Sequence, residues 1–330
     1  MKIVFDKRIP RLEELIKKSH PEIVVVAKEG YLINHADVWD ADALIVRTRT
    51  RCDKSLGEGS ALKLIASATI GLDHIDQEWC ESQGIRVESA PGCNAPAVMQ
   101  YVASSLHAAG FDPSHHILGV VGKGHIGTLV ADLYRKSGTH VIVCDPPRAD
   151  AGFDDEDYVS LEHLLCESDA VTFHVPYTSA GKYSTHHLLN GLLPDRLKFI
   201  INASRGHVIN PAIIDDSRKF IIDTWPFEDS PAEFYTDKHK FLIDKAFIAT
   251  PHIAGYSVEG KERATHKMIE VLNDVFSLKI STDGLADLHY TIPPLSQVIS
   301  SFDPLPLSNA LKRDPFSFED LRNSHLRPEA

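Results

Sequence analysis

The sequence predicts an α/β protein made of two doubly wound parallel sheets with covering helices. Three observations carry that prediction. The 330 residues exceed what one hydrophobic core usually organises, so two domains are expected. Short apolar runs alternate with helical stretches, the pattern of strand–crossover–strand units. One glycine motif also lies between an apolar strand and a helix, where such folds hold a ligand.

The first series of strands is expected at Lys2–Phe5, Glu22–Ala27, Ala43–Val46, Leu62–Ala66 and Ile85–Glu88, with helices at Arg11–Lys18 and Asp73–Gln83. Gly84 suits the C-terminal cap of the second helix. Pro91-Gly92 marks a turn, and Asn94 is placed to cap a connecting helix over Ala95–Ala109. A second series follows at Ile117–Val121, Val141–Asp145, Ala170–Val175, Phe199–Ala203, Phe220–Asp223 and Phe247–Ala249, then a long amphipathic helix over Val258–Phe276. A helix is also expected between Val208 and Phe220. After Thr291 the chain turns rich in Pro, Ser and charge, which reads as an extended tail whose removal should leave a folded, cofactor-binding chain.

Composition excludes several classes. A net charge of −12 argues against a nucleic-acid partner. No apolar run approaches the roughly 20 residues of a membrane span, and the N-terminus lacks a signal-peptide pattern, so no membrane partner is expected. The five cysteines are odd in number with none in C-x-x-C spacing, which argues against disulfides and a cysteine zinc site. The expectation is a cytoplasmic protein with reduced thiols. The pairs His115-His116 and His186-His187 lack metal-ligand spacing on a helix and read as solvated or core residues, so no metal is expected.

Gly122, Gly124 and Gly127 stand in G-x-G-x-x-G spacing, and the next strand ends in Asp145, 18 residues after Gly127. Each glycine has its own reason: Gly122 for the tight turn, Gly124 for the approach of a pyrophosphate, Gly127 for close helix–strand packing. The phosphates would meet the helix N-terminus at His125 and Ile126. Asp145 can accept hydrogen bonds from both ribose hydroxyls and repels a 2′-phosphate, so the expected cofactor is NAD rather than NADP. Arg148 nearby could soften that preference.

Three more motifs fall at predicted strand ends: Ile201–Gly206 with Arg205, Asp223–Glu228, and Thr250–Tyr256 with His252. Oxidation of an alcohol by NAD removes a hydroxyl proton and a hydride. His252 suits the proton transfer near neutral pH. An adjacent Glu228 would orient the ring and stabilise imidazolium, and the planar fork of Arg205 can clamp a carboxylate.

With these motifs in this order behind the fingerprint, the chain resembles the D-isomer-specific 2-hydroxyacid dehydrogenases over about residues 1–290. The stretches Ala68-Thr69-x-Gly71-x-Asp73-His74, Ala90–Ala95, Cys144–Asp150 and Gly255-Tyr256-x-x-Glu259-Gly260-Lys261 are more specific still. They narrow the resemblance to a branch that oxidises a small phosphorylated 2-hydroxy acid. The resemblance implies a flavodoxin-like substrate domain at 1–93 and 278–292, a Rossmann NAD-binding domain at 94–277, an active-site cleft between them, and a tail at 293–330 that is at most a reduced dimerisation segment. It implies Arg205, Glu228 and His252 as catalytic residues. Glu228 is chosen over Asp229 by its spacing from Asp223. It further implies cofactor contacts from Ala203, Ser204, Arg205, Asp223 and Gly255, and substrate contacts from Thr48, Thr69 and Tyr256. Arg47, Arg49 and Arg51 would share one face of an extended segment, with Arg47 first in line for the phosphate. A homodimer is the one protein partner the resemblance raises. A dehydrogenase for 3-phosphoglycerate or hydroxypyruvate, and a non-catalytic NAD-sensing corepressor on the same fold, remain open alternatives.

Overall fold

The computed structural model describes residues 1–228 and 237–330, which divide into two units: Met1–Asn94 with Ser257–Tyr290, and Ala95–Tyr256 with Thr291–Ala330.

Unit 1 is a five-stranded parallel sheet of β1 (Lys2–Asp6), β2 (Val24–Lys28), β3 (Ala43–Val46), β4 (Leu64–Ser67) and β5 (Arg86–Glu88), in the order β2-β1-β3-β4-β5. This is the flavodoxin-like order, whose switch point lies between β1 and β3. The strands are continuous apolar runs because both faces are covered. Val4, Leu44 and Ile65 pack with Val38, Leu56 and Cys80 on one face. On the other, Ile3, Phe5, Ile45 and Leu64 meet α1 (Leu12–Ser19) through Leu12, Leu15 and Ile16. That same face receives Ala264, Met268, Ile269 and Leu272 of a 19-residue helix, Val258–Phe276. This corrects the expected boundary. The chain leaves unit 2 at Ser257 rather than near Leu278, because the apolar stripe of the long helix belongs to the first core.

Unit 2 carries β6 (Leu118–Val121), β7 (Val141–Cys144), β8 (Ala170–Phe173), β9 (Phe199–Asn202), β10 (Lys219–Ile222) and β11 (Ile248–Ala249), all parallel, in the order β11-β10-β9-β8-β6-β7. A parallel bridge from Val143 to Tyr158 extends the sheet beyond β7. The order reverses at β6, so the loop after β6 lies at the switch point. The connecting helix Ala95–Ala109 is buried on nearly every side. Asn94 does not cap it through its side-chain oxygen, which is buried without a hydrogen-bond partner. The stretch between Val208 and Phe220 holds a single 3₁₀ turn, Pro211–Ile213, rather than a helix.

Residues 291–330 are not an extended tail. Helices at Leu295–Ser300, Leu305–Arg313 and Phe318–Ser324 bury Val298, Leu311 and Phe318. Leu311 and Phe318 join the core beneath β10 and β11, and the Ser308 hydroxyl accepts the N–H of Ala249 on the edge strand at 3.0 Å. Among the described residues no helix is long and apolar enough to cross a membrane.

Candidate active site

The glycine loop is shaped for a dinucleotide. Gly122 has φ +90°, and a Cβ there would lie 2.5 Å from the carbonyl oxygen of His174. A Cβ on Gly127 would lie 1.9 Å from the carbonyl oxygen of Gly122, which is the close helix–strand contact expected of the third glycine. At Gly124 a Cβ would meet nothing within 4 Å. Gly124 starts the helix His125–Lys136 without a side-chain cap, so no side chain of Gly124 occupies the helix start at His125 and Ile126. An uncapped helix start beside an open glycine fits a pyrophosphate.

Asp145 closes β7 as expected, and its carboxylate accepts the N–H of Lys123 at 2.7 Å and that of Arg148 at 3.1 Å. It therefore ties the glycine loop to the β7 end, with one further lone pair on each oxygen. Arg148 is engaged elsewhere: its Nε donates to Tyr158 at 2.9 Å and it pairs with Asp155 at 3.0 Å, stacked over Phe153. That geometry leaves the aspartate charge to decide against a 2′-phosphate.

The catalytic candidates come from the ends of β9, β10 and β11. After β9, Asn202 folds the chain back. Its Nδ2 donates to the carbonyl of Arg205 at 2.9 Å, and its Oδ1 accepts the hydroxyl of Ser204 at 2.9 Å. Ala203 and Ser204 are buried, and Arg205 Nη1 donates to the Ser204 carbonyl at 2.9 Å. After β10, Trp225 donates its N–H to Glu228 Oε1 at 2.6 Å and its indole N–H to the Thr250 carbonyl at 2.9 Å. The other oxygen of Glu228 contacts Nδ1 of His252. That contact fixes the ring and leaves Nε2 for proton exchange. Asp229, the competing acid, lies outside the described residues.

His252 holds φ +56°, an uncommon backbone state for a residue with a Cβ. Asp223 sustains it. The His252 N–H donates to the Asp223 carbonyl at 2.9 Å, while the carboxylate accepts the N–H groups of Ile253 at 2.8 Å and Ala254 at 2.9 Å and the hydroxyl of Thr250 at 2.6 Å. Asp223 is fully buried, and burial raises its pKa against the opposing pull of His252, Thr250 and the two amides. Expected as a cofactor contact, Asp223 is thus the residue that builds the histidine turn.

Sequence reasoning missed Arg327. Its buried guanidinium donates to the carbonyls of Ile253 at 2.9 Å, Ala254 at 2.7 Å and Ala97 at 2.9 Å, and to Gln100 Oε1 at 2.8 Å. Arg322 likewise donates to the Tyr256 hydroxyl at 3.1 Å. Gly255 lies between these tethered positions. No pattern in the polar final segment announces such contacts.

In unit 1 the chain turns after β3 instead of running extended: the Thr50 N–H donates to the Arg47 carbonyl at 3.3 Å. The three arginines therefore do not share a face. Arg51 pairs with Asp53 at 3.0 Å, while Lys261 lies near both Arg47 and Arg8, and Arg8 pairs with Glu29 at 2.9 Å. The Lys261 ammonium has its pKa lowered by burial first, then by repulsion from Arg47 and Arg8. Thr48 is exposed beside them. Thr69 follows β4, with its hydroxyl 2.7 Å from Ser67.

A dinucleotide fingerprint ahead of an arginine, a glutamate and a histidine at successive strand ends defines an NAD-linked hydroxyacid dehydrogenase site. The family profile described as "D-isomer specific 2-hydroxyacid dehydrogenase, NAD binding domain" matches residues 98–254. An erythronate-4-phosphate dehydrogenase of Bacteroides fragilis is 38% identical over 100% of this chain and 97% of its own length. One from Proteus mirabilis is 40% identical over 83% of this chain and 74% of its own. Among solved structures, NAD+-bound 3-phosphoglycerate dehydrogenase of Entamoeba histolytica shares the fold, with TM-score 0.67 at 23% identity over 88% of this chain and 99% of that one. The chain belongs to the D-isomer specific 2-hydroxyacid dehydrogenase family, and it is an NAD-dependent dehydrogenase.

Proposed function

We propose that the chain oxidises 4-phospho-D-erythronate to 2-oxo-3-hydroxy-4-phosphobutanoate in vitamin B6 biosynthesis, the activity named for its Bacteroides and Proteus relatives. The observation that carries the substrate class is the meeting of Arg8, Arg47 and Lys261 at the carboxyl ends of β1 and β3, at the switch point of the sheet. In a chain of net charge −12, Arg47 and Lys261 beside Arg8, which is shared with Glu29 at 2.9 Å, supply the field a phosphate needs.

The roles follow from the chemistry of each group. Arg205 holds the C1 carboxylate with a charge-assisted fork. His252 Nε2 takes the C2 hydroxyl proton, and Glu228 at Nδ1 stabilises the imidazolium that forms. NAD, when bound, accepts the C2 hydride. Arg8, Arg47 and Lys261 hold the phosphate, with Thr48 and Thr69 toward the same end, and Tyr256 is assigned to the substrate.

The test is NADH formation with 4-phosphoerythronate, 3-phosphoglycerate and unphosphorylated erythronate. Arg47→Ala should raise KM for 4-phosphoerythronate at least about tenfold, roughly 1.4 kcal/mol, with little change on erythronate. Equal losses on both would remove Arg47 from the phosphate site.

A further inference from the structure

Away from the Glu228–His252 pair, three imidazoles converge within unit 2. Two neighbouring chain segments hold them. His187 donates its N–H to the His207 carbonyl at 2.8 Å, Leu189 to Val208 at 3.2 Å, and Asn210 to Leu189 at 3.0 Å, with a parallel bridge between Leu189 and Ile209. The rings of His186 and His187 stack with centroids 3.9 Å apart, and His207 lies 6.0 Å from His186. One ring nitrogen from each of the three lies within 4.8 Å of the other two. We propose that His186, His187 and His207 form a binding site for a divalent cation of the zinc class.

The donor set selects the ion. Three neutral imidazoles with no carboxylate suit zinc, copper or nickel and not magnesium or calcium, which require oxygen. A tetrahedral zinc with nitrogen ligands at about 2.1 Å needs them about 3.4 Å apart, leaving the fourth position to water. His186 is exposed, and rotation of its ring supplies the closure. The Tyr177 hydroxyl lies 3.1 Å from His186 Nδ1. With that nitrogen protonated and donating to the phenol oxygen, Nε2 carries the ligating lone pair, the outer-sphere arrangement metal-binding histidines use.

One further feature favours ligation. His187 holds φ +50°, a left-handed state uncommon for a residue with a Cβ, and this turns its ring toward His186 instead of away along the chain. His207 directly follows Gly206, so an ion here fastens the segment that emerges from the Arg205 turn.

The experiment is calorimetric titration of the chelator-treated full chain with zinc chloride, with the visible spectrum of the cobalt(II) form as a second readout. The expected result is one site with Kd in the low micromolar range or tighter and a tetrahedral cobalt spectrum. Affinity should fall at least tenfold in His186→Gln, His207→Gln and His187→Asn. Asparagine tolerates the left-handed backbone, and unchanged NADH binding verifies each fold. Wild-type protein that takes up no zinc overturns the proposal. So does zinc uptake that survives His186→Gln, the exposed position whose substitution leaves the fold alone.

Discussion

A Cβ on Gly206 would lie 2.1 Å from the carbonyl carbon of Trp225. The turn carrying Arg205 is thereby seated on the turn carrying Glu228, backbone against backbone. Trp225 in turn reaches the histidine turn through its indole hydrogen bond to Thr250. Arg205, Glu228 and His252 are thus spaced by a backbone contact, an indole hydrogen bond and the direct contact of Glu228 with His252.

Gly206→Ala tests that spacing. The methyl group must push the two turns apart, and a displacement of about 1 Å can cost on the order of 10²-fold in rate. The expected outcome is a kcat loss of at least about tenfold with NADH affinity within about twofold of wild type. Steady-state kinetics with fluorescence titration of NADH separates the two, and unchanged kcat would show that the contact relaxes harmlessly.

The strands, the glycine loop and the placement of Arg205, Glu228 and His252 after strand ends were legible because each is local. Apolar runs, glycine spacing and a histidine three residues past a strand end are patterns of neighbours. What was not legible depends on residues distant in sequence. The helix Val258–Phe276 shows its apolar stripe plainly, but the stripe does not say which sheet it covers. Arg327 lies in a polar stretch, and its acceptors are carbonyls, which carry no side-chain signature. His207 is 20 residues from His187 and meets it through a backbone pairing no periodicity reveals.

Asp145 does two jobs that substitution can separate. Asp145→Ala removes the ribose acceptor and also the partner of the Lys123 and Arg148 amides, at a stability cost of about 1 kcal/mol. Asp145→Asn keeps an acceptor for one of the two amides and removes the charge and the second acceptor. Both variants should weaken NAD and narrow its advantage over NADP, while the alanine variant, which loses both amide acceptors, should melt lower than the asparagine variant. Wild-type use of NADP as readily as NAD would remove Asp145 as the selector.

His174 sets part of the acid limit. It is only partly exposed, its Nδ1 is buried without a hydrogen-bond partner, and burial pulls its pKa down to about 3. Unfolded, it takes a proton near 6.5. Between those values the unfolded chain binds more protons, so stability is whole above about pH 6.5 and erodes as pH falls toward 3. His174→Gln cannot titrate, and its denaturation midpoint should fall less steeply than wild type between pH 6.5 and 4. Parallel slopes in urea melts across that range would mean the erosion comes from other groups.

Arg327 decides what the C-terminal segment is for. The expectation that residues beyond about 292 can be removed does not survive its contacts. Burial lowers the pKa of Arg327 to about 10, with Asp223 and Tyr101 partly offsetting, so it is fully charged at neutral pH. Removing it would leave the carbonyls of Ala97, Ile253 and Ala254 and the oxygen of Gln100 buried without their donor, each such loss costing about 1–3 kcal/mol. Two of those carbonyls directly follow His252, whose backbone already holds a left-handed state. Arg327→Met keeps an apolar stem over the Phe302 ring while deleting every donor. It should lower both the melting temperature and kcat, with KM changing much less, because the histidine turn loses its clamp while Arg205 and the cofactor loop keep theirs. Arg327→Lys should recover only part of the loss, since an ammonium cannot reproduce the planar fork. Deleting residues 293–330 should be worse than either substitution, because it also takes Leu311 and Phe318 out of the core and removes the Ser308 acceptor of the Ala249 N–H on the edge strand. A truncated chain that melts and turns over like wild type would show the segment to be an ornament of unit 2 and the Arg327 contacts to be energetically empty.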